Sequence, residues 1–360
     1  MNDNKVSSFW TLAFTALSIA VVAVLAVQVF HEASHAVAAV LVGARLEAFN
    51  LFGVAHTWTG RANWWGELSI AGNAALMNVL AGLVAVVLFS QSWVRRRPTR
   101  RLFLLYVAGY SLLTGFGYLL FDGIFFQPGG QNVGDWKKVL ELVGGNWIVR
   151  FVVILIGLGG SLWVFFWLPR SALCFGEEMT DQRQRVRLML RLLMLPYVAI
   201  NTLFTVLSFW HPLGGDGVII TVMQYWFGYV AFFWAFLIAS YWTQATTPPP
   251  DTTPLAADFN WRWGVGAAVA VGLAILVLLP TIYFSIVSLN CLDGVGQQLR
   301  YAASSIELIT LDGEAANEVG NALLSQSSLW LLWNPLLRRA DGEKWFESWS
   351  KPGPLQCLRE

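Results

Sequence analysis

The sequence predicts an all-α polytopic membrane protein with about seven transmembrane helices. Of its 360 residues, 56% are hydrophobic and only 12% are charged, whereas a soluble domain carries about 25% charged residues. Seven apolar stretches approach or exceed the roughly 20 residues that a helix needs to cross a bilayer. The 19 Trp and 24 Phe fit this class, because Trp concentrates at the headgroup level. A net charge of +1 gives no sign of a nucleic-acid partner.

The predicted spans follow one another along most of the chain. They cover residues 9–42, 68–89, 102–120, 148–168, 188–209, 218–242 and 263–286. The first stretch would extend about 50 Å as a helix, so it must tilt, kink or project from the membrane. Residues 46–54, which follow it, are too short and too Gly-broken for a span.

Composition divides the chain into five segments. Residues 1–145 form a core with three transmembrane helices, and residues 146–245 add a three-helix transmembrane region. The Pro-rich residues 246–260 predict a stiff linker. The seventh helix lies within 261–287, and residues 288–360 are expected to form an extracytoplasmic C-terminal domain or tail.

Two arginine-rich loops predict the orientation in the membrane. Residues 95–101 hold five arginines, and the loop after the fourth span holds Arg170, Arg183, Arg185 and Arg187. Because Lys and Arg in short loops favour the cytoplasm, the N-terminus is expected inside and the C-terminus outside. The chain is therefore expected to be integral to the cell membrane. An exported tail would permit an intramolecular disulfide between Cys291 and Cys357.

The first span carries the pattern His31-Glu32-Ala33-Ser34-His35. Positions i and i+4 share a helix face, so both imidazoles can bind one metal ion, with Glu32 beside them as a general base. Half of the four histidines in the chain fall in this pentapeptide. Ionisable side chains inside a membrane helix are costly without a partner. The pattern therefore predicts a zinc site, against the alternative of a polar turn at the membrane interface.

A catalytic zinc ion takes three protein ligands and keeps one open position. Asp135 and Asp122 are the candidates for the third ligand, and both follow the third span on the side where the first span ends. The residues alone do not decide between the two. Each could instead be a helix cap or a turn residue. His56 and His211 are less suited, since both lie in loops beside aromatic residues or proline.

With these motifs the chain resembles the site-2 protease family of intramembrane zinc metalloproteases, over roughly residues 20–145. The resemblance implies that His31, His35 and Asp135 (or Asp122) bind Zn²⁺, and that Glu32 is catalytic. In place of the family's Gly-Pro-x-x-Asn stretch, Gly72-Asn73 and Asn78 occur without the proline, which implies substrate contacts by Asn73 and Asn78. The resemblance also implies that residues 46–54 form a small membrane-dipping hairpin, as the family has after its His-bearing helix, and that the hairpin edge would hold an unwound substrate by strand addition.

The resemblance implies hydrolysis of peptide bonds in or next to the membrane by a zinc-activated water, with membrane proteins or peptides as substrates. Two alternatives of other classes remain. A proteolytically inactive relative would bind client membrane proteins, and a metal transporter would use the same residues as a pathway. The transporter would need further carboxylates or histidines along spans four to seven, and these spans carry almost none.

Overall fold

The computed structural model describes residues 3–58, 63–128, 134–175, 181–211, 214–242, 261–279, 282–283, 289–292, 298–301 and 356–359. Within these ranges, seven helices are long and apolar enough to cross a membrane. This confirms the predicted all-α polytopic membrane fold. The predicted linker at 246–260 and most of 288–360 lie outside the described residues.

The first half of the chain supplies three spans and a hairpin. Its elements are α1 (Asp3–Leu41), β1 (Arg45–Asn50), β2 (Gly53–Thr57), α2 (Trp64–Phe89), α3 (Ser92–Arg95), α4 (Pro98–Phe125) and α5 (Asp135–Leu142). The side chain of Asn63 caps α2 by accepting from Trp65 N–H. Pro98 opens α4 at a position where its missing N–H has no helical partner.

The second half supplies four more spans, three of which contain π-helical turns. Its elements are α6 (Trp147–Leu173), α7 (Gln182–Met189), α8 (Leu195–Leu207), α9 (Gly214–Val222), α10 (Val230–Leu237), α11 (Trp261–Leu273) and the strands β3 (Ile282–Tyr283), β4 (Leu289–Leu292), β5 (Gln298–Tyr301) and β6 (Gln356–Arg359). The π-helical segment Met223–Gly228 joins α9 to α10 within span six. Such insertions change which face the following residues present, and they occur frequently at functional sites.

The helix ends differ from the prediction at three places. Span three starts at Pro98 and ends at Phe125, so it includes Asp122, which was predicted to follow it. Arg101, from the predicted arginine-rich loop, is buried in its first turn, with the guanidinium 4.5 Å from the Phe89 ring centre. The helix of span seven ends at Leu278, whereas the predicted span continued to residue 286. The sequence has Pro280 just beyond, and proline both lacks an N–H and disfavours helix for the residue before it.

Helix α1 lies at the centre of the bundle and contacts α2, α4, α8 and α11. Ala16, Ala20 and Ala23 lie on its fully buried face, where small side chains allow close helix approach. Helices α2 and α4 also pack closely, since a Cβ at Gly115 would lie 2.6 Å from the Ala75 carbonyl oxygen. This packing brings the end of α4 towards the histidines of α1.

The predicted hairpin is present, with β1 and β2 antiparallel. The second edge of β1 is paired with β3, with Phe49 opposite Ile282 and Ala48 opposite Tyr283. Farther on, β4 pairs with both β5 and β6 in a second antiparallel sheet, where Cys291 lies opposite Cys357. Strand pairing is thus present in the described parts of the C-terminal segment.

Candidate metal centre

The histidines of α1 and a carboxylate from α5 meet inside the bundle. The imidazole Nε2 atoms of His31 and His35 each lie 3.1 Å from Oδ2 of Asp135. The two rings are on one face of α1, five ångströms apart between centroids and nearly perpendicular. Both histidines are buried, at 2% and 8% exposed. The structure therefore brings the two predicted imidazoles and Asp135 to one point.

Asp122 has a different position from Asp135, although both were candidates for the third ligand. Its Oδ2 accepts hydrogen bonds from Trp136 N–H at 2.9 Å and Lys137 N–H at 3.3 Å. These groups belong to the first turn of α5, where backbone N–H groups have no helical partner. Asp122 thus fixes the start of α5 and, through it, the position of Asp135.

Gly134, just before α5, allows this arrangement. Its φ of +139° lies in a region that side-chain-bearing residues rarely adopt. A Cβ at this position would also lie 2.8 Å from Oδ1 of Asp122. Glycine is therefore needed both for the turn into α5 and for the space that the Asp122 carboxylate occupies.

The Nδ1 atom of each imidazole is held by a neighbouring group. Nδ1 of His35 donates to the carbonyl of Ile70 at 2.7 Å, which leaves its Nε2 as the lone-pair atom. Nδ1 of His31 lies 2.8 Å from Nδ2 of Asn78, whose Oδ1 is buried without a partner among the described residues. Rotating the amide by 180° would pair Oδ1 with Nδ1–H of His31 and would place the NH₂ group at the position that has no partner among the described residues. With the amide rotated, Nε2 of His31, like Nε2 of His35, would face Asp135 with its lone pair, which is the form of imidazole that can bind a metal ion.

The ring of Tyr118 fixes the plane of His31. The two rings are stacked, with centroids 5.0 Å apart and planes 12° from parallel. The Tyr118 hydroxyl donates to Oε1 of Gln224, in the π-helical segment of span six, at 3.3 Å. Span six therefore reaches the surroundings of the site, although the sequence predicted no role for it.

The three donor atoms are close enough to one another to hold a single metal ion. Ligand atoms of His31, His35 and Asp135 all lie within 4.8 Å of one another, and tetrahedral bonds of about 2.0–2.1 Å separate ligands by about 3.3 Å. Burial acts to raise the pKa of the Asp135 carboxyl, but when the Nε2 atoms of His35 and His31 are protonated, their charge and hydrogen bonds outweigh it and hold that pKa well below its usual range. The carboxylate is thus the charged form that binds a cation.

Glu32 lies beside this group and is also buried, at 5% exposed. Its Oε1 accepts a hydrogen bond from Nε2 of Gln28 at 3.0 Å, one helical turn earlier. Gln28 was not singled out in the sequence. The i, i+4 spacing from Gln28 to Glu32 was the one signal that could have identified it.

The other polar residues considered from the sequence lie outside the donor group. Nδ2 of Asn73 donates to the Ser34 carbonyl on α1 at 2.8 Å, and Asn78 is fully buried against His31. Both amides, which were expected to contact substrate, have protein partners. His56 pairs with Glu67 at 3.5 Å. His211 packs its ring against Phe52.

Comparisons of the chain with protein-family models, with curated proteins and with solved structures find no match. A functional assignment must therefore rest on the residues and geometry of the site.

Proposed function

We propose that this chain is an intramembrane zinc metalloprotease that hydrolyses peptide bonds in or next to the bilayer. The observation that carries the proposal is the convergence of His31, His35 and Asp135 within 4.8 Å, with Glu32 next to His31 in the chain. Two imidazoles and one carboxylate are the ligand set of a known class of hydrolytic zinc sites, and the adjacent glutamate is the usual general base.

Zinc bound by His31, His35 and Asp135 would supply a Lewis acid that polarises the scissile carbonyl and lowers the pKa of the attacking water. Glu32 removes one proton from that water as its oxygen bonds to the carbonyl carbon. The same carboxyl then gives the proton to the amide nitrogen as the C–N bond breaks. The products are one carboxyl and one amine terminus.

The position of the site determines the class of substrate. His31 and His35 lie in the span Trp10–Leu41, so the bond to be cut must enter the helical bundle. A substrate helix must first unwind, because its backbone groups are bonded to one another. A membrane-embedded or membrane-adjacent protein segment, locally extended, is therefore the proposed substrate.

If a substrate strand adds to the hairpin, it must pair with an edge strand that has no partner on its outer side. One edge of β1 is paired with β2 and the other with β3. An incoming strand would therefore have to add beyond β2 or beyond β3, or displace β3 from β1. This modifies the expectation that the hairpin simply offers a free edge to substrate.

The test uses the full chain in detergent micelles with fluorescein-labelled casein, an unstructured protein, as the probe. Glu32→Gln should keep zinc and lose cleavage, whereas His35→Ala should lose both. His56→Ala, which removes a histidine outside the donor group, is the matched control and should retain both. Equal cleavage by wild type and Glu32→Gln would refute the assignment. Zinc binding by wild type without any cleavage would instead favour an inactive, client-binding protein.

A further inference from the structure

One buried side chain joins Glu32 to two distant parts of the chain. Nε2 of Gln28 donates to Oε1 of Glu32 at 3.0 Å and to the carbonyl of Leu51 at 2.9 Å. Oε1 of Gln28 accepts from the Tyr225 hydroxyl at 3.0 Å. The amide therefore contacts its own helix, the tip of the β1–β2 hairpin and span six at once.

These contacts fix the orientation of the amide. An amide has two N–H donors and one oxygen acceptor, and each is used here. The reversed amide would place Oε1 against a carboxylate and a carbonyl, which are both acceptors, and would leave Tyr225 without an acceptor. Gln28 thus has one arrangement that satisfies all of its neighbours.

Tyr225 is itself held firmly. It is 1% exposed, and its ring stacks on Phe204 with centroids 4.0 Å apart and planes 15° from parallel. It also packs edge-on against Tyr229 at 5.0 Å. Tyr225 belongs to the π-helical segment Met223–Gly228. Span six therefore provides a rigid partner for the Gln28 amide.

Leu51 is held from two sides. Its carbonyl accepts from Gln28, and its N–H donates to the carbonyl of Leu278 at the end of span seven, at 3.1 Å. Its side chain is fully buried. The hairpin tip thus has one hydrogen bond to the residue that also bonds Glu32.

We propose that Gln28 is a positioning residue that holds Glu32 for proton transfer and couples its position to that of the hairpin. This inference rests on the proposed function, because it takes Glu32 as the general base. The bond from Gln28 occupies Oε1 and leaves Oε2 to accept the proton from water. When a substrate strand joins the hairpin sheet, the hairpin tip shifts. The Leu51 carbonyl then displaces Nε2 of Gln28, and with it the Glu32 carboxylate.

The kinetic test compares Gln28→Leu and Tyr225→Phe in the full chain with labelled casein. Gln28→Leu should lower kcat by roughly 10- to 100-fold, since a misplacement of about 1 Å near the reacting atoms can cost that much. KM and zinc content should stay unchanged. Tyr225→Phe should lower kcat less, and the double variant should be no worse than Gln28→Leu, because Tyr225 acts through Gln28. Additive losses, or a kcat unchanged in Gln28→Leu, would overturn the proposal.

Thr221→Val is the matched control. It removes a buried hydroxyl one helical turn from Tyr225. The Thr221 hydroxyl donates only to the Gly217 carbonyl of its own helix in the described structure. This variant should keep kcat near the wild-type value. A loss equal to that of Tyr225→Phe would indicate general damage to span six and would count against a specific link.

A second measurement does not depend on catalysis. In the metal-free chain, Gln28→Leu should speed hydrogen exchange of the backbone amides at 48–53, because the Leu51 carbonyl loses its anchor. Thr221→Val should leave their exchange unchanged. Unaltered exchange in Gln28→Leu would refute the coupling to the hairpin. Failure of wild type to cleave casein would count against the proposed function instead, so the two failures are distinguishable.

Discussion

Oδ2 of Asp135 lies 3.1 Å from Nε2 of His35, although 100 residues separate them in the chain. The contact requires α4 to pack on α2 and α5 to begin at one defined point.

The two aspartates should differ in their effect on zinc binding. Asp122→Ala removes the cap of α5, and we expect zinc affinity to fall roughly 10- to 100-fold, as for other groups that orient ligands. Asp135→Ala removes a proposed ligand and should lower zinc affinity further. Competition with a chromogenic chelator measures both. Asp181→Ala is the control, because Asp181 caps α7 by accepting from Arg183 N–H and lies outside the donor group. Equal losses in Asp122→Ala and Asp135→Ala would contradict the division of roles.

Substitution of Asn78 should reveal the orientation of its amide. Asn78→Leu removes the partner of His31 Nδ1 and should weaken zinc binding roughly 10- to 100-fold. Asn78→Asp keeps an oxygen acceptor for Nδ1–H and should bind zinc more tightly than Asn78→Leu. Isothermal titration with zinc compares them. Asn73→Leu loses only the hydrogen bond to the Ser34 carbonyl. This variant should bind zinc nearly as tightly as the wild type does. If Asn78→Asp weakened zinc binding as much as Asn78→Leu, the Asn78 amide nitrogen, and not its oxygen, would be the atom that contacts Nδ1 of His31.

The close packing of α2 on α4 should depend on Gly115. A Cβ there would meet the Ala75 carbonyl oxygen and Val79 Cγ2 at 2.6 Å each, so Gly115→Ala should destabilise the fold by about 1–3 kcal/mol. Gly117→Ala lies two residues on, with no atom within 4 Å of the added Cβ. It should be neutral or stabilising by up to about 1 kcal/mol. Thermal unfolding in one detergent gives the comparison. A lower melting temperature for Gly117→Ala would show that helix packing is not the cause.

Cys291 and Cys357 should form a disulfide under oxidising conditions. They are directly opposite residues of β4 and β6, where Cα atoms lie about 4.5–5.5 Å apart, and disulfides span about 4.4–6.8 Å. Non-reducing peptide mapping by mass spectrometry should find the cross-linked pair, with Cys174, which is free in the structure, as the internal reference thiol. Two free thiols at 291 and 357 after oxidation would contradict the strand register.

Local patterns predicted much of this molecule. Apolar runs located seven spans, and the spacing of His31 and His35 placed both rings on one face of α1. The choice between Asp122 and Asp135 stayed open, because a helix cap and a metal ligand at the start of a helix look alike in sequence. The bond between Gln28 and Tyr225 joins residues 197 positions apart. No local pattern signals such a contact, which depends on a π-helical turn in a span that otherwise reads as plain membrane helix.

The pairing of β3 with β1 has a consequence for the last membrane helix. Span seven is little buried against the bundle, which suggests a dispensable anchor, yet the segment after it covers one side of the hairpin. A chain shortened to end at residue 242 would expose the edge of β1 at Ala48 and Phe49, which β3 covers. Bare strand edges recruit other chains and promote aggregation. Shortened versions of this protein should therefore self-associate even where His31, His35 and Asp135 are intact.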